Sequence, residues 1–272
     1  MIKISKSAQA PAILTTKGAS ETIKLKNTYE ANPTQYTSGI AKMTFDSAIY
    51  GNSTVKQQLI AEQYGKCCFC ESLFVENSFG DVEHFRPKAA YKKKGDKKLT
   101  YPGYYWLAYD WNNLIFSCEK CNRTYKKNEF PLKDEATRKS NHAHSNPLDK
   151  EDRLLINPVE EDPSLFITFR EEIPVAVNGN AKGATSIKIF GLERLNESRL
   201  EHLNLLKCIL PLASIDENNT VDVDNAARLL KITSEDVVET VKQAKILYHS
   251  AAKASAKFAY CVRCKFAYLP TV

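Results

Sequence analysis

Two C-x-x-C pairs, Cys67/Cys70 and Cys118/Cys121, stand about fifty residues apart and enclose the most chemically loaded stretch of the 272-residue chain. Two knuckles at this spacing supply four thiolates to a tetrahedral zinc, and a zinc held by four thiolates is closed and structural. It staples a hairpin too small to bury its own core, so reaction chemistry has to come from other residues. The doublet Cys67-Cys68 leaves open which thiol completes the first knuckle, and the C-x-x-C spacing favours Cys67. Between the knuckles lies Asp81-Val82-Glu83-His84-Phe85-Arg86-Pro87-Lys88, then Trp111-Asn112-Asn113-Leu114, and Asn122 directly follows the fourth cysteine. A histidine beside a glutamate is on its own more often a surface or satisfied core pair. Enclosure by paired knuckles reverses that preference.

An acid-His pair on a strand, then Asn-Leu, then C-x-x-C followed by Asn, resembles the HNH endonucleases. The resemblance implies that His84 is the general base, that Glu83 and Asn122 ligate one divalent ion, magnesium or manganese, and that Asn113 holds the hairpin loop so that His84 points correctly. These roles are chemically consistent. A neutral imidazole can take a proton from water, while a cation on the scissile phosphate stabilises the developing charge. One carboxylate and one amide oxygen suffice for a hard cation only when substrate phosphate and water complete its shell, so metal binding without nucleic acid is expected to be weak. Many members of the family carry Asp or His where this chain has Glu83, and His where it has Asn122. Asn113 and Asn122 also read as ordinary turn and helix-start residues. His142 and His144, spaced H-x-H in a polar stretch, read mostly as solvated loop.

Charge is concentrated around the same residues. From His84 to Lys133 there are twelve Lys/Arg against four Asp/Glu, a local +8 in a chain of net +6, which leaves −2 elsewhere. A positive field that coincides with the ligand pattern reads as a footprint for phosphates. Arg86, Lys88, Arg123, Lys126 and Lys127 flank the proposed ligands and are candidates for phosphate contact. Lys92, Lys93, Lys94, Lys97 and Lys98 form a loop suited to non-specific backbone clamping. Tyr104, Tyr105, Trp106, Tyr109 and Trp111 are better read as core over a small module than as base-stacking surface.

The elements that must position these residues follow from local pattern. Thr54 to Tyr64 has apolar residues at helical spacing and stops at Gly65, delivering the chain to the first knuckle. Phe79 to Phe85 reads as a strand, Leu114 to Phe116 as a short segment, and Glu119 to Lys127 as a closing helix. Residues 1 to about 50 read as an irregular lead-in, and the polar run Asp134 to Pro147 as a linker or long loop. Phe166 to Phe169 and Ile173 to Val177 read as a hairpin, Thr185 to Phe190 as a further strand, then helices over Leu195 to Leu210, Asn225 to Leu230 and from Ser234, the last with Thr233 and Asp236 at capping-box spacing. The fold class expected is α+β: a zinc-clamped ββα-metal (HNH, His-Me finger) module in a mainly helical protein with a small antiparallel sheet. Its divisions are 1–53, a lead-in; 54–135, the module; and 136–272, a hairpin with a helical region for partner docking.

Composition, 43% hydrophobic and 26% charged, is that of an ordinary globular chain and excludes disordered or collagen-like classes. The opening MIKISKSAQAPAIL lacks a secretory apolar run and no later stretch is long enough to span a bilayer, so a cytoplasmic location is expected, where cysteine clusters favour metal over disulfide. Cys261 and Cys264 form a third C-x-x-C that would need two further ligands, with Cys208, His202 and His249 as candidates; buried thiols are the stronger reading. A narrower likeness joins C-x-F-C-E, E-H-F-R-P-K, W-N-N-L and C-x-x-C-N to Asn157-Pro158, Asp162-Pro163, Ile189-Phe190-Gly191-Leu192 and Arg199. Together these look like the PtuB-type HNH proteins of Septu and retron-linked antiphage systems. That resemblance implies an ABC/SMC-like ATPase partner of the PtuA type and cutting of invader nucleic acid, DNA before RNA. The alternatives are an effector that cuts RNA, tRNA included, since the mechanism needs no 2′-hydroxyl, and a zinc-stabilised adaptor that has lost catalysis.

Overall fold

The computed structural model describes residues 1–75 and 77–271. Contacts divide the chain into two units, Met1–Thr168 with Pro174–Glu193, and Phe169–Ile173 with Arg194–Val272. Among the described residues the fold is mainly helical with two small two-stranded sheets, the α+β class expected.

In the first unit, helices α1 (Ala19–Ala31), α2 (Pro33–Thr37) and α3 (Ser47–Tyr50) occupy what the sequence suggested was an irregular lead-in. The reason is thin patterning: α1 buries only Leu25 and Tyr29, too narrow a stripe to show as periodicity. Tyr29 stacks on Tyr105 with ring centroids 5.1 Å apart, which ties this segment to the aromatic core. Helix α4 (Ser53–Glu62) starts where the Asn52 side chain accepts from Thr54 N, buries Val55 and Leu59, and is followed by Gly65 at φ +68°, the left-handed residue expected past a helix end.

Strand β1 (Asp81–His84) pairs antiparallel with β2 (Leu114–Ser117), placing His84 opposite Leu114 and Glu83 opposite Ile115. All four residues of β2 are buried. The excursion between the strands carries Tyr104, Tyr105, Trp106, Tyr109 and Trp111, every one of them core. A wide, π-type helix, Lys120–Lys126, follows β2. The polar run after it is no linker: Arg138 is buried and donates to Glu135 and to Tyr104 Oη, and His142 bonds Tyr105 Oη through Nδ1 and Glu30 through Nε2. Distant partners, invisible in a local window, convert that polar stretch into packed structure.

Strands β3 (Ile167–Arg170) and β4 (Ile173–Ala176) form the second sheet. The expected strand over Thr185 to Phe190 is instead helix α5 (Ala181–Ile189). Asn180 caps it by accepting from Lys182 N and Gly183 N, and Gly183 lets it approach the chain so closely that a Cβ there would lie 2.1 Å from Phe166 O. Capping and close approach outweigh the β-leaning composition of the segment.

The second unit consists mainly of α6 (Asn196–Ala213), α7 (Thr220–Leu230), α8 (Ser234–Ser250) and α9 (Ala259–Lys265). Thr233 Oγ1 accepts from Asp236 N at 3.1 Å, the predicted cap. Leu203, Leu206, Ala244, Tyr248, Phe258 and Val262 form its main cluster, and Val223, Ala227, Val237 and Val241 a second. Cys261 is buried with its thiol donating to Glu171 O, in keeping with the buried-thiol reading. Among the described residues, no helix is long and apolar enough to cross a membrane.

Candidate metal centre and active site

Cys67, Cys70, Cys118 and Cys121 bring their Sγ atoms within 4.8 Å of one another, with Cys70 and Cys118 at 3.9 Å. A zinc with four sulfurs at about 2.3 Å needs tetrahedron edges of about 3.8 Å, so the donor set and its size fit a metal such as zinc. Cys67 is the member of the doublet that joins the cage. Cys68 is buried beside it, its N–H donating to Phe116 O at 3.0 Å. The first knuckle is shaped by bonds from Cys67 N to Ser72 O and from Glu71 N to Cys67 O, with Glu71 at φ +60°. Phe69, between the two thiols, stacks on Phe190 at 4.0 Å. Hydrogen bonds from Cys118, Cys121 and Cys67 hold the Cys70 thiol well below its ordinary range, so the cage already favours a thiolate there. Among the described residues this is the one His/Cys/Asp/Glu group close enough to hold a metal ion.

His84 ends β1 facing a cleft of about 480 Å³. Its Nε2 lies 2.9 Å from Ala108 O, so Nε2 carries the proton and donates, leaving the lone pair on Nδ1. Lys88 Nζ lies 3.3 Å from that Nδ1. Burial, with the Lys88 charge next, pushes the His84 pKa well below the usual histidine range, so the ring is neutral at neutral pH. The loop behind it is held by Asn113, whose Oδ1 accepts from Arg86 N and whose Nδ2 donates to Arg86 O and Leu107 O. Lys6, from the N-terminal segment, donates to Trp111 O and Leu114 O and sits 3.7 Å from the Trp111 ring centre. Burial lowers its pKa to about 7.

The acidic side of the cleft is more crowded than the sequence implied. Glu83 Oε1 pairs with Lys126 Nζ at 2.6 Å, and the same ammonium donates to His84 O; Lys126 is fully buried. Asn122 Nδ2 donates to Asp81 Oδ2 at 3.0 Å, and Arg123 grips both oxygens of Asp81. The oxygens these bonds leave are Glu83 Oε2 and Asn122 Oδ1, hard donors of the kind a magnesium-like ion takes, and both residues line the cleft.

Two of the five expected phosphate contacts point elsewhere. Arg86 is 6% exposed and donates to Glu151 Oε2 at 2.9 Å, forming a buried pair, and Lys126 is committed to Glu83. A carboxylate brought from 65 residues away captures the first, and the strand's own acid the second. Lys88, Arg123 and Lys127 do line the cleft.

Comparison with known proteins bears on what this arrangement belongs to. No family model matches the chain, and no solved structure does. A Septu protein PtuB of Bacillus mycoides (strain KBAB4) is 41% identical over 202 residues, 73% of this chain and 66% of that protein. The chain is thus similar to PtuB over most of its own length. A Septu protein PtuB of Bacillus thuringiensis is 25% identical over 191 residues, 67% of this chain and 60% of its own length. A Septu protein PtuA of Bacillus mycoides is 28% identical over 130 residues, 48% of this chain but 18% of that protein. The matches thus span less than two thirds of each relative's length.

This PtuB-like chain also places in the cleft residues that its sequence did not single out. Ser47 and Tyr50 come from α3, Lys56 from α4, and Asp81 from the start of β1. Tyr50 meets the His84 ring edge-on at 4.7 Å. Only Asp81, three residues before His84, carried a local signal, as a second acid on the same strand.

Proposed function

We propose that this chain is a metal-dependent HNH-type endonuclease that hydrolyses phosphodiester bonds of DNA, serving as the effector of an antiphage defence system together with an ABC/SMC-like ATPase. The observation that carries the reading is the state of His84: a neutral imidazole, its Nε2 proton locked on Ala108 O and its Nδ1 lone pair at a cleft that Lys56, Lys88, Arg123 and Lys127 also line. Such a nitrogen accepts a proton from water at pH 7. Asn113 fixes the loop beside it, and the four cysteines, which would hold a structural zinc, tie the two ends of the hairpin without taking part in the reaction.

Glu83 and Asn122 would hold one divalent ion, which when bound supplies positive charge for the reacting phosphate and the leaving oxygen. The chain's own groups do the rest. Lys56, Arg123 and Lys127 draw the phosphate backbone into the cleft, and His84 Nδ1 takes the proton of the attacking water. Likeness to proteins named PtuB and PtuA supports a place in a Septu system and a partner of the PtuA type.

The test is cleavage of plasmid DNA, and in parallel of tRNA, by the purified chain alone and with its ATPase, in magnesium or manganese. Wild type should nick DNA, and His84→Ala should not, while keeping its metal content and its unfolding midpoint. Cutting retained in His84→Ala would reject the assignment, and metal-bound, folded wild type with no cutting under any of these conditions would favour an adaptor.

A further inference from the structure

Lys88 has an unusual set of neighbours for a cleft lysine. Its Nζ lies 4.5 Å from the centre of the Tyr50 ring and 5.7 Å from that of Phe45, and it donates to His84 Nδ1 at 3.3 Å. Tyr50 in turn packs edge-on against the His84 ring. Because His84 Nε2 is committed to Ala108 O, Nδ1 is the single nitrogen able to accept a proton, and it is the atom that the ammonium occupies. A base whose lone pair already accepts a hydrogen bond is not available to water.

A neutral imidazole is a weaker acceptor for an ammonium than a phosphate oxygen, since bonds between two charged partners are about twice as strong as neutral ones. The aromatic faces of Phe45 and Tyr50 stabilise the cation through their quadrupoles without using its protons, so the ammonium can change acceptor without leaving its cradle. Glu83 and Lys126 are the other charged groups beside it, and they are engaged with each other.

We propose that Lys88 masks His84 Nδ1 in the resting protein and hands its hydrogen bond to a non-bridging oxygen of the bound phosphodiester, so that substrate arrival uncovers the base. The inference rests on the nuclease reading for its chemistry. In the step it permits, the water oxygen forms the new P–O bond while its proton goes to Nδ1. The bond to the leaving oxygen then breaks with its electron pair, and that oxygen takes a proton from solvent. Lys88 touches the reacting group and is by this account a catalytic residue, beyond a general backbone clamp.

Histidine 15N resonances of the full-length chain decide the masking, with His84→Ala assigning the His84 pair. Without nucleic acid, the Nδ1 resonance should differ between wild type and Lys88→Met. A short DNA duplex, saturating and without added divalent ions, should move wild type toward the Lys88→Met position and leave that variant unmoved. The His142 resonances, unchanged throughout, report that the unit carrying Lys88 is folded in each variant. Identical Nδ1 positions in free wild type and Lys88→Met, or no movement on saturation with DNA, would overturn the proposal. In single-turnover cutting at saturating DNA, Lys88→Met should lose about 100-fold in rate with Kd within about threefold, and Lys88→Arg should recover to within about tenfold. Loss confined to Kd would make Lys88 an ordinary clamp. If wild type cuts nothing, the nuclease reading fails while the resonance arm still decides whether Nδ1 is masked.

Discussion

Asn113 and Arg86 are joined at both ends of one side-chain amide: Asn113 Oδ1 accepts from Arg86 N at 2.8 Å, and Asn113 Nδ2 donates to Arg86 O at 3.0 Å. The backbone just past His84 is thereby clamped to the residue just before β2. Asn113→Ala would leave a buried N–H and C=O unpaired, each costing 1–3 kcal/mol, so a loss of about 3 kcal/mol in urea unfolding is expected. Any cleavage should fall by about 100-fold, because a loop displaced by an ångström misaims the imidazole.

Assignment of the metal cage to Cys67 predicts unequal effects within the doublet. Cys67→Ser and Cys121→Ser should lose the bound metal, whereas Cys68→Ser should keep about one equivalent by elemental mass spectrometry. Strong chelators should lower the thermal midpoint of wild type, since binding free energy at such a site is folding free energy.

The Glu83–Lys126 pair is buried on both sides. Removing one partner strands the other charge, so Lys126→Met alone should cost about 3–5 kcal/mol, while Glu83→Gln with Lys126→Met should recover much of that loss in a double-mutant cycle. Additive effects would show that the two charges are not coupled.

Cations in the cleft and cations behind it should separate by salt. Lys56→Ala and Lys127→Ala are each expected to weaken DNA binding and to reduce the slope of log affinity against log salt by about 1. Arg86→Ala, which opens the buried pair with Glu151, should lower stability and leave that slope unchanged. Binding titrations at four salt concentrations distinguish the two behaviours.

His202 in the second unit has its pKa lowered by burial and then by Lys257. The unfolded chain, with an ordinary histidine near 6.5, therefore binds more protons than the folded one between the depressed folded value and about 6.5. Stability contributed at this site is present above about pH 6.5 and falls as pH drops through that window. Denaturant midpoints measured from pH 7.5 to 5 should decline less steeply in His202→Leu; an unchanged decline would count against it.

Much of the site could be read in advance because its parts announce themselves locally. The knuckle cysteines, the Glu83–His84 pair and Asn113 lie at spacings set by one short hairpin, and the structure brings the thiols together and ties Asn113 to the loop after His84. What could not be read was the direction of the cations. Arg86 and Lys88 are two residues apart on the same run, yet one turns inward to Glu151 and the other toward His84. The choice depends on a carboxylate 65 residues downstream. Tyr50 and Lys56 were invisible for the same reason, as they reach the cleft from helices whose own pattern says nothing of it. In α5, an asparagine cap and one close glycine overrode a segment that read as strand.

The carbonyl of Phe116 accepts both from Gln63 Nε2, at 2.8 Å, and from Cys68 N, while Gln63 Oε1 takes the Phe116 N–H. Strand β2 is therefore stitched on one border to the segment leading into the thiol cage and on the other to the imidazole-bearing strand. It has no loose border by which to peel. The histidine arm and the cysteine arm must come apart in a single cooperative event, so loss of the cage would disorder the base even though no sulfur touches it.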